Sequence, residues 1–318
     1  QLQPGPPEAP SLAPSGSQGA LDFSVVVPVY NSQESLEELH TRLAATLSSM
    51  GKTFEVIYVD DGSRDDSMSA LRSLHERHPG QVRVVSLYRN QGQHAALMCG
   101  FRLCRGDFVV TLDDDLQHSP EDIPALYERL QQGYDAVFGS YVRKAHGPVQ
   151  NLGSRFLGRL NRRIFGLPRG LELSAYRIIR RGVVDHIRSH STSYPYVSGL
   201  IASTTVRIAN VPVRHEPRRY GKSGYTLPKL IRLAFNLLIN YSAIPLKAMA
   251  WVGMGAALLA FAVGAVFMIR QFVIDDVPQG WTSLVVLMSF FGGVVFAMMF
   301  VMAEYLSRLL REASDRPM

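Results

Sequence analysis

The chain has 318 residues, a formal net charge of +6 and two cysteines. That length admits one large domain or two smaller ones, and Cys99 and Cys104, five apart in a predicted helix, do not suggest a disulfide framework or a cysteine metal site and suit a buried role in a reducing compartment. A basic balance points to nucleic acid, an anionic membrane or an anionic substrate; no helix-turn-helix, zinc-finger or aromatic RNA-binding signature is present, which sets nucleic acid aside.

Residues 1–20 are rich in Pro, Ser and Gly. They lack the basic start and apolar stretch of a signal peptide, so a disordered tail is expected, with the following domain on the cytoplasmic side. From there strands and helices alternate. Phe23 to Val29 is a β-branched run and reads as a buried strand. Ser35 to Met50 has helical spacing in Leu36, Leu39, Leu43 and Leu47. Phe54 to Val59 is a second strand and Asp66 to Arg77 a second helix. Val82 to Leu87, Gln93 to Arg105, Asp107 to Leu112, Pro120 to Gln132 and Asp135 to Gly139 continue as strand, helix, strand, helix and strand. Such alternation predicts an α/β domain with a mainly parallel sheet covered by helices on both faces. Ligands of such sheets bind beyond the carboxyl ends of the strands.

Three strand ends carry motifs: Pro28-Val29-Tyr30-Asn31, Asp60-Asp61-Gly62-Ser63, and Asp113-Asp114-Asp115-Leu116-Gln117. An acidic turn after a strand can simply cap a helix. Three carboxylates in a row are different, because crowded like charges are costly unless a cation compensates them. On an extended backbone Asp113, Asp115 and Gln117 point the same way. Oxygen ligands of this type suit Mg²⁺ or Mn²⁺ that also holds a diphosphate. His94, at a helix start, is expected to serve as a cap or structural hydrogen-bonding group. Ser198 and Gly199 are expected to pack near the acceptor side.

Beyond the α/β region, residues 227–244 alternate apolar residues with Lys229, Arg232, Asn236 and Asn240, the pattern of an amphipathic interface helix. Residues 248–269 and 283–303 are apolar stretches of about the 20 residues that cross a bilayer. Lys229, Arg232 and Lys247 precede the first, and Arg308, Arg311 and Arg316 follow the second. This puts both outer flanks in the cytoplasm. The expected organisation is a tail over 1–20, a catalytic domain over 21–225, a juxtamembrane helix over 226–245, a two-helix hairpin over 246–305 and a cytoplasmic tail over 306–318.

Taken in order, PVYN, DDGS, RNQGQHAAL and DDDLQ, then SAYRIIRR (174–181) and RRYGKSGY (218–225), resemble the family 2 glycosyltransferases of GT-A fold. Within them the sequence is similar to the polyprenyl-phosphate subgroup, which includes dolichol-phosphate mannose synthase and bacterial undecaprenyl-phosphate aminoarabinose-type transferases. The resemblance implies a Rossmann-like GT-A domain followed by the interface helix and membrane hairpin. It implies inverting transfer of a sugar from a nucleotide diphosphate to polyprenyl phosphate, for modification of cell-envelope glycans, at the inner (plasma) membrane. By position it implies that Pro28, Tyr30, Asp60, Asp61 and Asp114 hold the donor nucleotide and that Asp113, Asp115 and Gln117 hold the metal. Arg143, Arg177, Arg218 and Lys222 would contact phosphates or the acceptor. Asp113, Asp115 and Arg177 are then the catalytic group, Asp115 chiefly as metal ligand and secondarily as a base. Relatives with two-span hairpins imply a homo-oligomer, such as a tetramer. Ser32 stands where many relatives have Glu, and Gly224 where they have Lys. An inactive membrane scaffold and a processive polysaccharide synthase are the competing readings. The retained site residues oppose the first; the lack of a QxxRW motif opposes the second.

Overall fold

The computed structural model describes residues 21–141, 158–168, 170–189, 195–214 and 216, with scattered helical positions between 235 and 309. The chain first runs β1 (Phe23–Val29), α1 (Leu36–Ser49), β2 (Phe54–Asp60), α2 (Ser67–Arg77), β3 (Val82–Ser86), α3 (Gln93–Leu103) and β4 (Phe108–Thr111). A 3₁₀ turn (Pro120–Asp122) leads into α4 (Ile123–Gln131), then β5 (Ala136–Tyr141) and a helix, α5, described over 158–165. The last elements of the domain are β6 (Arg177–Arg180), α6 (Arg181–Arg188), α7 (Val197–Thr204) and β7 (Ile208–Val213).

The seven strands form one sheet in the order β3-β2-β1-β4-β6-β5-β7. Strands β1 to β4 are parallel, β6 is antiparallel to both β4 and β5, and β7 returns parallel to β5. The mainly parallel sheet expected from the alternation is therefore present, with one reversed strand inside it. Each face carries its own core. On one, Leu36, Leu39, Leu43 and Leu47 of α1 and Leu126 and Leu130 of α4 cover Phe23, Val25 and Val27. On the other, Leu97, Met98 and Phe101 of α3 and Val197 and Ile201 of α7 cover Val26, Ile57, Val109 and Ile179. The alternation of β1 residues between the cores is the period-2 geometry of a strand buried on both sides. Gly100 lets α3 lie directly on β1: a Cβ there would stand 2.3 Å from a Val26 methyl. Cys104 is buried and Cys99 half-buried, both as free thiols.

Helix boundaries match expectation within a residue at α1, while Pro120 opens its helix as a 3₁₀ turn. Arg143, Arg218 and Lys222 lie outside the described residues, as do most of the juxtamembrane helix and of the two apolar stretches. Among the described residues no helix is long and apolar enough to cross a membrane.

Candidate active site

The parallel strands β1, β2 and β4 all end on the same edge of the sheet, so their motifs meet there. Tyr30 and Asn31 follow β1, with Asn31 in the left-handed region at φ 53°. Tyr30 N–H donates to Asp114 Oδ2 at 3.1 Å, and Ser35 Oγ donates to the Asp114 carbonyl at 2.6 Å. The β1 loop is also tied to the β2 loop: Asn31 N–H reaches Ser63 Oγ at 3.0 Å, and Arg64 N–H reaches Asn31 Oδ1 at 2.8 Å. Tyr30 itself is 42 % exposed, a ring available for stacking, whereas Pro28 lies inside the buried strand.

Asp60 and Asp61 are both buried but serve different neighbours. Asp60 accepts from Ser63 N–H at 3.2 Å and lies 3.4 Å from the Ser86 hydroxyl at the end of β3. Asp61 accepts two backbone N–H groups, from Gln91 at 2.7 Å and Gly92 at 2.8 Å. Burial pushes its carboxyl upward, those two hydrogen bonds oppose the shift, and Asp60 adds to it. Asp61 thereby holds the loop that starts α3. Gly62, at φ +70°, makes this turn feasible, since a side chain would meet the backbone of Arg89 and Asn90 at about 3 Å.

The third motif departs from its expected extended form. Residues 114–116 turn, and Leu116 is left-handed at φ 60° with its side chain buried. The reason is local: Gln117 N–H folds back onto Asp115 Oδ1 at 3.1 Å. Asp113, Asp115 and Gln117 thus lie along a turn rather than on the extended backbone that the strand period assumes. Asp114 points back into the β1 loop, and burial pushes its carboxyl up to about 7, opposed by Ser32 and Tyr30 and reinforced by Asp113 and Asp115. Gln93 Nε2 donates to Asp113 Oδ1, bringing the start of α3 to the same place.

Arg177 opens β6 opposite Thr111 of β4. It is 1 % exposed, so it lies beneath the carboxylate loop rather than on its surface. Its Nε donates to Thr111 Oγ1 at 2.9 Å and one terminal nitrogen to Ser198 Oγ at 2.7 Å, with Phe138 below the guanidinium. Among the described residues no carboxylate forms an ion pair with it. Burial pulls its pKa down to about 10, with Tyr196 and Asp113 opposing. Ser198 therefore belongs to the site by supporting Arg177, and Gly199 packs closely on Phe165 and Tyr196. His94 does not cap α3, whose N-cap is Gly92; its Nδ1 is buried without a hydrogen-bond partner among the described residues, and its ring meets Tyr196 edge-on.

Two residues outside the sequence-derived set also touch the carboxylate loop. His118 is buried and accepts Asp113 N–H on Nδ1 at 3.1 Å. Glu216 N–H donates to the Gln117 carbonyl at 3.1 Å, while its carboxylate joins Arg42 and Ser119, each at 2.9 Å. Glu216 is remote in sequence, and no local pattern marks it. His118 follows the motif directly but has the spacing of neither a metal ligand nor a catalytic pair.

Two carboxylates and an amide are hard oxygen donors. They suit a Mg²⁺ or Mn²⁺ ion, which takes one or two carboxylates and completes its shell with water and phosphate oxygens. Among the described residues no group of three or more His, Cys, Asp or Glu is placed to hold a metal by itself.

Comparison with known proteins places these features in a family. Residues 24–188 match the model of glycosyl transferase family 2. The undecaprenyl-phosphate 4-deoxy-4-formamido-L-arabinose transferase of Edwardsiella ictaluri is 37 % identical over 299 residues, covering 92 % of this chain and 91 % of that protein. The protein of the same description from Pseudomonas aeruginosa is 36 % identical over 302 residues, covering 92 % and 87 %. Among solved structures, glucosyl-3-phosphoglycerate synthase from Mycobacterium tuberculosis, in complex with Mn²⁺, UDP and phosphoglyceric acid, is similar in fold. Its TM-score is 0.52 at 22 % identity, over 69 % of this chain and 76 % of that one.

Proposed function

The chain belongs to glycosyl transferase family 2, and from that membership we propose that it transfers a sugar from a nucleotide diphosphate to undecaprenyl phosphate, inverting the anomeric centre. It is a glycosyltransferase. The observation that carries the acceptor is the reach of the similarity. The E. ictaluri undecaprenyl-phosphate transferase matches 92 % of this chain, whereas the family model ends at residue 188, so the likeness extends through the region beyond the α/β core. The lipid-linked sugar would serve envelope modification.

In this reading the acceptor phosphate oxygen attacks the anomeric carbon as the bond to the β-phosphate oxygen breaks, and the nucleoside diphosphate leaves. A phosphate monoester has a second pKa of about 6 and is largely dianionic at neutral pH, so it needs no general base. Asp113, Asp115 and Gln117 would hold a divalent cation, Mg²⁺ or Mn²⁺, whose chemistry is to offset charge building on the diphosphate. Tyr30, with Pro28, Asp60, Asp61 and Asp114 around it, would hold the nucleotide. Arg177 would contribute positive potential from beneath, stronger there because the site is partly desolvated. Arg143, Arg218 and Lys222 would meet the phosphates from the surface. A cytoplasmic catalytic domain, a multi-pass anchor in the inner membrane and a homo-oligomeric, tetrameric assembly complete the proposal; basic flanks and family resemblance support them.

The test is a donor panel of UDP-, GDP- and dTDP-sugars with undecaprenyl phosphate and purified full-length protein, with and without Mn²⁺ or Mg²⁺. Metal-dependent label in the lipid fraction is expected, and Asp115→Asn should abolish it without changing the circular dichroism. Transfer to a peptide or a soluble sugar instead would overturn the acceptor class, and full activity of Asp115→Asn would overturn the site.

A further inference from the structure

The carboxylate loop holds a conformation that costs energy. A left-handed backbone at a non-glycine residue is unfavourable, and it persists only where the surroundings over-determine it. Leu116 sits at φ 60° between the carboxylates and Gln117. Its side chain anchors one side of the turn by burial. His118 anchors the other side in a more directed way.

A backbone N–H can only donate, so the 3.1 Å bond from Asp113 N–H requires His118 Nδ1 to be the unprotonated nitrogen. The ring proton is then on Nε2, which lies 2.5 Å from the Tyr141 hydroxyl oxygen. The His118 and Tyr141 rings are within 6° of parallel with centroids 6.0 Å apart, so the phenol meets the imidazole almost end-on and in plane. Tyr176 lies across the imidazole at 5.2 Å and 19°, and its hydroxyl donates to the Ser119 carbonyl at 2.8 Å. Tyr141 closes β5, Tyr176 precedes β6, and Asp113 follows β4. One imidazole therefore links the ends of three adjacent strands to the backbone of the first carboxylate.

We propose that His118 is the positioning residue of the carboxylate loop: it holds Asp113 by its backbone and so sets Asp113, Asp115 and Gln117 in the arrangement that takes a divalent cation. The proposal rests on the reading of those three residues as the cation site. A buried histidine that only filled space would stabilise the fold without affecting the cation. Groups that orient metal ligands behave differently, and their loss commonly weakens metal binding.

Three variants of the full-length protein in detergent separate these roles. His118→Phe keeps a ring beside Tyr176 and removes the acceptor. His118→Asn restores an acceptor oxygen near the Nδ1 position without the ring. Asp113→Asn combined with Asp115→Asn reports cation binding elsewhere on the protein. Mn²⁺ alone is titrated by the electron paramagnetic resonance of the free ion, and thermal midpoints are measured in parallel. His118→Phe is expected to weaken Mn²⁺ binding about ten-fold, with His118→Asn recovering most of that loss even where its midpoint is the lower. Wild-type Mn²⁺ binding by His118→Phe, or losses that follow the midpoints in both variants, would overturn the proposal and leave the cation site standing. Binding by the wild type no tighter than by the double aspartate variant would overturn the cation site and the proposal together.

Discussion

Arg177 places a full charge under a surface that already holds three aspartates. Breaking a buried ion pair strands the remaining charge and destabilises strongly. No carboxylate pairs with Arg177 among the described residues, so its removal strands neutral acceptors, the hydroxyls of Thr111 and Ser198 and the Ser174 carbonyl at 3.4 Å, and Thr111 keeps its own bond to the Ala175 carbonyl at 2.7 Å. Arg177→Met is therefore expected to shift the thermal midpoint by no more than about 5 °C and to lower turnover by about a hundred-fold. Calorimetry and the lipid-transfer assay check the two halves, and a collapse of the midpoint would make Arg177 a structural post. At this scale the residue types were legible in the sequence. The depth of Arg177 and the inward aim of Asp114 and Asp61 were not, because burial belongs to a residue's neighbours, and those come from β4, β5 and α7 for Arg177, from the loop after β1 for Asp114 and from the loop before α3 for Asp61.

Among the elements, α1 against β2 shows how a regular pattern can conceal a titrating group. The leucine spacing of α1 predicts its buried face, and Leu36, Leu39, Leu43 and Leu47 occupy it. His40 shares that face. Its Nδ1 is 3.3 Å from the Tyr58 hydroxyl, its Nε2 is buried without a partner among the described residues, and its ring centroid is 4.9 Å from that of His78. Burial lowers its pKa to about 4; His78 and Arg77 act the same way, and Glu37 opposes them. The folded state thus refuses a proton that the unfolded chain accepts near 6.5. Stability from this group is present above that pH and is lost as pH falls toward about 4, by about 3 kcal/mol in all. His40→Leu lacks this loss, so its stability relative to wild type should rise between pH 7 and 4.5. Denaturant midpoints measured across that range provide the check, and parallel profiles would refute it. The elements up to β5 were readable from periodicity. Strand β6 was hidden because it has four residues with arginine at both ends, and those arginines are satisfied by Thr111 and Ser198 at one end and by the carbonyls of Leu130 and Tyr134 at the other.

For the whole molecule, the proposed membrane attachment draws support from the described positions near the carboxyl terminus. Leu284, Met288, Val295, Met299, Met302, Leu306 and Leu309 are each helical and 52–68 % exposed. Apolar helical positions open to the surroundings suit hydrocarbon rather than water. The full-length protein is expected to sediment with membranes and to be released by detergent but not by alkaline carbonate. Release by carbonate would indicate peripheral attachment and remove the proposed hairpin. The sheet order matters at this scale as well, since β1, β2 and β4 carry the three motifs and lie side by side although two helices and a strand separate β2 from β4 in the chain.

The sequence by itself determined the alternating α/β core, the order of the strand-end motifs and which residues are proposed as oxygen donors, because each depends on local periodicity or on residues within one turn of each other. The tertiary structure decided the rest. It reversed β6 inside the sheet, sank Arg177 beneath the carboxylates, spent Asp61 on the α3 loop and enlisted His118 and Glu216 to hold the backbone on which Asp113, Asp115 and Gln117 stand. Most of those outcomes depend on contacts between residues tens of positions apart, and a linear pattern records which groups are available without recording which of them will meet.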